Sequence, residues 1–291
     1  MKSAFVSIIG RPSSGKSSFI NRVCGYKVSI VTPVPQTTRN RIRGIYNGTN
    51  VQLVFVDTPG YHLSEKKFNL QMTKLIQDSL EDVDILLYMI DVSRQPGSEE
   101  SSIADFVSGF NGPKVVVMNK IDIKQNYLEG HKAFVQTRLK DAPIFAVSAM
   151  TGEGIPELLN YLEEIAPEGT RYYDDDIYTD QEPSFRIAEI IREKVILETR
   201  EEIPHSIYIE ILDMEMQEEG KSLWVRGIIY TERDSQVGII VGHGGNRIKK
   251  IRKEAEKELS AIFPYRVKLD LRVKVKKKWR RDDALLKKLI F

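Results

Sequence analysis

Gly10-Arg11-Pro12-Ser13-Ser14-Gly15-Lys16-Ser17 has the spacing of a loop that wraps backbone N–H groups around a chain of phosphates. Its glycines admit the close approach that a Cβ would obstruct. Lys16 is placed to meet the β- and γ-phosphates, and the Ser17 hydroxyl to meet Mg2+. Such chemistry needs a strand before the loop and a helix after it. The apolar run Phe5-Val6-Ser7-Ile8-Ile9 supplies the first, and the helix-forming stretch that Ser18 continues supplies the second. These residues read as a nucleoside triphosphate site.

The base is indicated about a hundred residues downstream. Lys114-Val115-Val116-Val117-Met118 reads as a buried strand, and Asn119-Lys120-Ile121-Asp122 stands at its carboxyl end, where open α/β sheets place ligands. A carboxylate at Asp122 can accept from the two N–H donors on one edge of guanine, an edge adenine lacks, while the Lys120 stem covers the base. Ser148-Ala149-Met150, after Ile144-Phe145-Ala146-Val147, falls where a backbone N–H near the guanine O6 would complete the pocket.

Between these segments, Asp57-Thr58-Pro59-Gly60 follows the apolar run Leu53-Val54-Phe55-Val56. Asp57 is expected to hold Mg2+ through a water, and the Gly60 N–H to contact the γ-phosphate, with glycine allowing the backbone to move when that phosphate leaves. Pro33-Val34-Pro35-Gln36-Thr37-Thr38-Arg39 has neither helical nor strand period. Its threonines are candidates for closing over the metal, Thr38 in preference to Thr37. The metal set is then Ser17, Thr38 and Asp57, and the residues closest to catalysis are Lys16, Thr38 and Gly60. Together the segments read as a guanine-nucleotide switch domain. Many such switches carry a water-orienting Gln after the last glycine, whereas here Tyr61 and His62 follow. Slow intrinsic hydrolysis is expected, accelerated by a partner, a monovalent cation or a loop rearrangement.

The elements that position these residues take up little more than half of the 291 residues. Residues 1–167 are expected to form an α/β phosphate-loop domain with a mostly parallel sheet and helices on both faces, ending in a helix from Ile155 to Ile165. Residues 168–183 read as a linker, because Pro167-Glu168-Gly169 and the acidic run Tyr172-Tyr173-Asp174-Asp175-Asp176 break the pattern. Residues 184–291 form a second domain. No apolar stretch approaches the roughly 20 residues of a membrane span, and Met1-Lys2-Ser3 leads straight into a strand, so a cytoplasmic protein is expected. The single cysteine, Cys24, excludes an intramolecular disulfide, and the four histidines lack metal-ligand spacing.

A net charge of +2 conceals an asymmetry: residues 1–182 carry −4, residues 183–220 carry −6 and residues 221–291 carry +12. Such concentrated positive charge implies a polyanionic partner, either nucleic acid or an anionic membrane. The order of elements decides between them. A helix from Phe185 to Glu198 and strand-like runs Ser206–Ile211 and Ser222–Tyr230 precede a helical segment. Then come Gly242-His243-Gly244-Gly245, a basic helix bearing Arg247, Lys249 and Lys250, and the alternating strand Arg266–Val275. This is the order of an α+β KH domain of the second topological type. Its G-x-x-G loop clamps a sugar-phosphate backbone while the following Lys and Arg neutralise phosphates. The partner is therefore RNA, with no DNA expected. Trp279, inside the basic cluster Lys276–Arg281, is expected to pack against the end of the domain.

With these motifs, and with Pro35-Gln36-Thr37-Thr38-Arg39, Tyr172 to Pro183, Ala188-Glu189-Ile190-Ile191-Arg192-Glu193-Lys194 and Pro204-His205-Ser206, the chain resembles the Era family of bacterial GTPases over essentially its whole length. The resemblance implies a ribosome-assembly factor that binds GTP and GDP, uses Mg2+ and contacts the small subunit near the 3′ end of 16S ribosomal RNA. It also implies occasional peripheral association with the inner face of the cell membrane. Two departures stand out. Ser13 replaces an Asn that in related GTPases helps hold a stimulatory potassium ion, which leaves potassium stimulation open, and His243 replaces a common Lys. Two other readings remain: an RNA-binding module that nucleotide only stabilises, with negligible turnover, and a membrane-peripheral regulator.

Overall fold

The computed structural model describes residues 1–60, 83–124, 126–199 and 202–289. Two compact units emerge, one of Met1–Asp180 with the residues from Lys287 onward and one of Gln181–Leu286. In the first, β1 (Lys2–Ile9), β2 (Ile42–Asn47), β3 (Val51–Asp57), β4 (Ile85–Asp91), β5 (Lys114–Asn119) and β6 (Ile144–Val147) form one sheet in the order β2-β3-β1-β4-β5-β6. Among the described residues of this sheet only β2 runs antiparallel to its neighbour. Every residue of β3 and β4 is buried, as expected for strands covered on both faces. The covering helices are α1 (Lys16–Cys24), α2 (Ser98–Ser108), α3 (Leu128–Arg138) and α4 (Ile155–Ile165). Ile103, Ala104 and Val107 of α2 and Val135 of α3 pack with Leu86, Tyr88, Ile90, Val116 and Met118. The carboxyl ends of β1, β3, β5 and β6 consequently present the segments singled out above along one edge.

Residues 168–180 depart from the expected linker. Gln52, fully buried on β3, accepts the Tyr172 and Tyr173 N–H groups at 2.8 and 3.0 Å and donates to the Tyr173 carbonyl at 2.9 Å. The Ile45 N–H on β2 donates to the Tyr178 carbonyl at 2.9 Å. Tyr172 and Tyr178 pack on Phe5 and Tyr26, with centroids 4.6 and 4.2 Å apart. The acidic residues suggested solvation, but the aromatic ones between them find partners, and the segment covers the open edge that β2 would otherwise present.

The second unit begins with α5 (Pro183–Glu198) and a short helical turn, α6 (Ile203–Ser206). β7 (Tyr208–Gln217), β8 (Ser222–Thr231), α7 (Asp234–Val241), α8 (Asn246–Ile262), β9 (Arg266–Val275) and α9 (Asp283–Leu289) follow. The sheet order is β7-β8-β9, with β8 antiparallel to β7 and parallel to β9. Ile187, Ile191 and Val195 on α5 and Ile251, Ala255 and Leu259 on α8 form the buried stripes that helical spacing requires. β7 runs six residues beyond the expected end at Ile211, past a register shift between Ile211 and Asp213. Trp279 is buried, packs its ring at a tilt against Tyr208 with centroids 5.0 Å apart and donates its indole N–H to the Ser206 carbonyl at 2.9 Å, as packing against the domain end requires.

A candidate nucleotide cleft and a candidate RNA-binding loop

The phosphate loop bends through two left-handed residues, Ser13 at φ 63° and Gly15 at φ 98°. Lys16 is buried and donates to the Gly10 and Arg11 carbonyls at 3.1 Å each, bridging the loop on itself. Burial lowers its pKa to about 8 against the pull of the Asp57 and Glu100 carboxylates. The Arg11 side chain instead pairs with Glu99 at 2.7 Å and with Glu100 at 3.6 Å on α2. Pro12, Ser13, Ser18, Thr38, Gly60 and Lys120 help to line a cleft of about 350 Å³ beside the loop. Gly60 is held to glycine by crowding, because a Cβ there would lie 2.6 Å from the Pro12 Cα.

Three hydroxyls converge on one oxygen at the end of β3. Asp57 Oδ2 accepts from Ser17 at 2.7 Å, from Ser29 at 2.8 Å and from Thr38 at 3.4 Å, and Ser17 and Thr38 lie 3.0 Å apart. The other carboxylate oxygen, Oδ1, is buried without a hydrogen-bond partner. Burial raises the Asp57 pKa, opposed by Lys16 and by the three hydroxyls. An all-oxygen cluster with an unsatisfied carboxylate oxygen fits a hard divalent cation with a bound water. Thr37 is turned away, its hydroxyl paired with Thr32 at 2.6 Å and with the Val34 carbonyl at 2.6 Å. Next to this cluster, the Thr58 hydroxyl donates to the Ile8 carbonyl at 2.7 Å, and Pro59 is buried.

On the base side, Asn119 Nδ2 donates to the Ser14 carbonyl at 2.8 Å, and its Oδ1 accepts the Ala149 N–H at 2.9 Å. Ser148 is buried and donates its hydroxyl to Asp122 Oδ1 at 2.6 Å, orienting that carboxylate. Met150 contributes through its backbone: its side chain is exposed, while its carbonyl and that of Ala149 accept from Arg22 on α1. Lys120, at φ 73°, reaches Asp91 Oδ2 at 2.7 Å. Arg22, Ser29 and Asp91 escape sequence reasoning; Asp91 alone carries a signal, a lone carboxylate at the carboxyl end of an apolar strand. Tyr61 and His62 lie outside the described residues.

In the second unit, α7 ends at Gly242, and the turn Gly242-His243-Gly244-Gly245 leads into α8. Gly242, Gly244 and Gly245 have φ of 71°, 56° and 77°. A Cβ at Gly242 would lie 2.7 Å from that of Arg247, whereas at Gly244 and Gly245 it would meet open space. The loop therefore offers bare, outward-facing backbone to an approaching chain. His243 and Lys249 are exposed, Arg247 donates to the Ile239 carbonyl, and Lys250 pairs with Glu198 at 2.7 Å.

A phosphate loop, a hydroxyl–carboxylate cluster and a guanine pocket on a mostly parallel sheet, joined to a type-II KH fold, define a GTP-binding protein equipped for RNA. Residues 5–120 match the family model described as 50S ribosome-binding GTPase, and residues 202–280 that of the KH domain. The chain belongs to the Era family of GTPases. It is 49% identical to GTPase Era of Treponema denticola over 100% of both chains. A variant of Aquifex aeolicus Era bound to GDP and AlF4− superposes with a TM-score of 0.93 at 34% identity, covering 99% of this chain and 98% of that one. An Era complex with MgGDPNP and nucleotides 1506–1542 of 16S ribosomal RNA gives a TM-score of 0.94 at 34% identity and the same coverage.

Proposed function

We propose that this chain is a GTP-hydrolysing switch that binds 16S ribosomal RNA near its 3′ end and acts in small-subunit assembly. The observation that carries the reading is the convergence of Ser17, Thr38 and Asp57 beside the phosphate loop in a chain that also bears an open G-x-x-G loop.

Lys16 exchanges the Gly10 and Arg11 carbonyls for the β- and γ-phosphate oxygens, and its ammonium, protonated near neutral pH, neutralises their charge. Ser17 and Thr38 would hold Mg2+ through their hydroxyl oxygens, and Asp57, with its unsatisfied Oδ1, would hold it through a water. Mg2+, when bound, offsets the charge that develops on the phosphate oxygens. Asp122, held by Ser148, accepts from the guanine edge, and Asn119 keeps that pocket in register with the phosphate loop. Loss of the γ-phosphate would release Thr38 and Gly60, and the RNA affinity of the second unit is expected to follow nucleotide state through linkage. Potassium stimulation has only the Ser13 hydroxyl to support it. Among the described residues no helix is long and apolar enough to cross a membrane, and a peripheral lipid contact would rest on the basic second unit.

Multiple-turnover GTP hydrolysis tests this reading. It is expected to be measurable, to rise with an oligonucleotide matching the 16S 3′ end, to vanish in Lys16→Ala and to shift toward xanthosine triphosphate in Asp122→Asn. Turnover that persists in Lys16→Ala, or that ignores the oligonucleotide, contradicts it.

A further inference from the structure

We propose that Arg94 is a further nucleotide-binding residue, a guanidinium presented to the phosphate end of the cleft from the turn between β4 and α2. The proposal rests on the guanine-nucleotide reading of that cleft. Arg94 lines it together with Pro12, Ser13, Lys16, Gly60 and Lys120.

The turn under Arg94 is pinned from several sides. Asp91, 3% exposed at the end of β4, accepts the Ser93 N–H at 3.0 Å and the Ser93 hydroxyl at 2.5 Å. Its neighbour Val92 donates to the Asn119 carbonyl at 3.1 Å and accepts the Tyr127 N–H at 2.7 Å. The Arg94 carbonyl lies 2.8 Å from Nε2 of His131, a residue completely buried in α3. The backbone beneath the guanidinium is thus fixed to the guanine-recognition strand on one side and to a helix on the other.

The side chain is left half in solvent, 49% exposed, with Nε 3.6 Å from Asp91 Oδ2. The same oxygen accepts Lys120 at 2.7 Å. One carboxylate facing two cations leaves a unit of positive charge at the rim of the cleft. A planar fork of donors over a pinned turn matches phosphate oxygens and loses little freedom on binding them. The ligand class is a nucleoside di- or triphosphate.

The test is the GDP affinity of the full chain, read with a fluorescent analogue, for wild type, Arg94→Gln, Arg94→Lys and Lys16→Ala. Arg94→Gln removes the charge and the guanidinium fork but keeps a polar side chain, and is expected to raise the dissociation constant about five- to tenfold and to flatten its dependence on KCl. Arg94→Lys is expected to recover part of the affinity and most of the KCl dependence, with all three variants melting near the wild-type temperature. Arg94→Gln binding GDP within about twofold of wild type at low salt, while Lys16→Ala binds none, would overturn the assignment and leave the cleft reading intact. Undiminished GDP binding by Lys16→Ala would overturn the cleft reading itself.

Discussion

Asn119 holds the phosphate loop by its side-chain amide: Nδ2 donates to the Ser14 carbonyl at 2.8 Å, and a Cβ on the adjoining Gly15 would sit 2.2 Å from that nitrogen. Gly15 also has φ 98°, a left-handed backbone that side chains disfavour. The proposed base and phosphate sites therefore meet at one glycine.

Gly15→Ala should damage both. Backbone strain costs about 1–2 kcal/mol and displacing the Asn119 hydrogen bond about 1–3 kcal/mol more, so the GDP dissociation constant should rise at least about 30-fold. Fluorescent-GDP titration reads this directly, and a change under about threefold would show that the contact is dispensable.

The two adjacent threonines should separate cleanly. Thr38 shares its hydroxyl with Ser17 and Asp57, while that of Thr37 bonds within its own loop to Thr32 and Val34. Thr38→Ala should raise the Mg2+ concentration needed for half-maximal hydrolysis about tenfold, with Thr37→Ala staying within about twofold of wild type. The reverse ranking would move the metal contact to Thr37.

Much of this was legible because it is local. The period of Phe5–Ile9, the phosphate-loop spacing, the helix Ile155–Ile165 and the alternation of Arg266–Val275 each depend on near neighbours in the chain, and each element falls where that pattern puts it. What was not legible depends on distant partners. The acidic Tyr172–Asp180 segment reads as a linker until Gln52, more than a hundred residues away, binds its backbone. β2 pairs antiparallel with β3 and carries no apolar run strong enough to announce it. The far half of β7, with Asp213, Glu215 and exposed Leu212, Met214 and Met216, looks like a loop because it lies beyond a register shift at the edge of a sheet. Ser29 and Arg22 join the site only through tertiary contacts with Asp57 and with the Ala149 turn.

In the candidate RNA-binding loop, Gly245 faces open space at φ 77°, so charge and strain can be told apart there. Asp and Asn tolerate the left-handed backbone similarly. Gly245→Asp should weaken binding of a 16S 3′-end oligonucleotide about tenfold or more through repulsion of phosphate, and Gly245→Asn by no more than about threefold. GDP affinity should be unchanged in both. Equal losses in the two variants would mean that backbone shape, and not close approach to phosphate, sets the requirement for glycine.

The central claim is that nucleotide state in the cleft sets RNA affinity in the second unit, and linkage makes that coupling measurable from either side. The most direct measurement is the dissociation constant of a 16S 3′-end oligonucleotide for the chain loaded with a non-hydrolysable GTP analogue and Mg2+, compared with the GDP-loaded chain. A difference of about fivefold or more is predicted, with the same factor appearing in the affinities of the two nucleotides when RNA is bound. Equal RNA affinity in the two states would contradict the account.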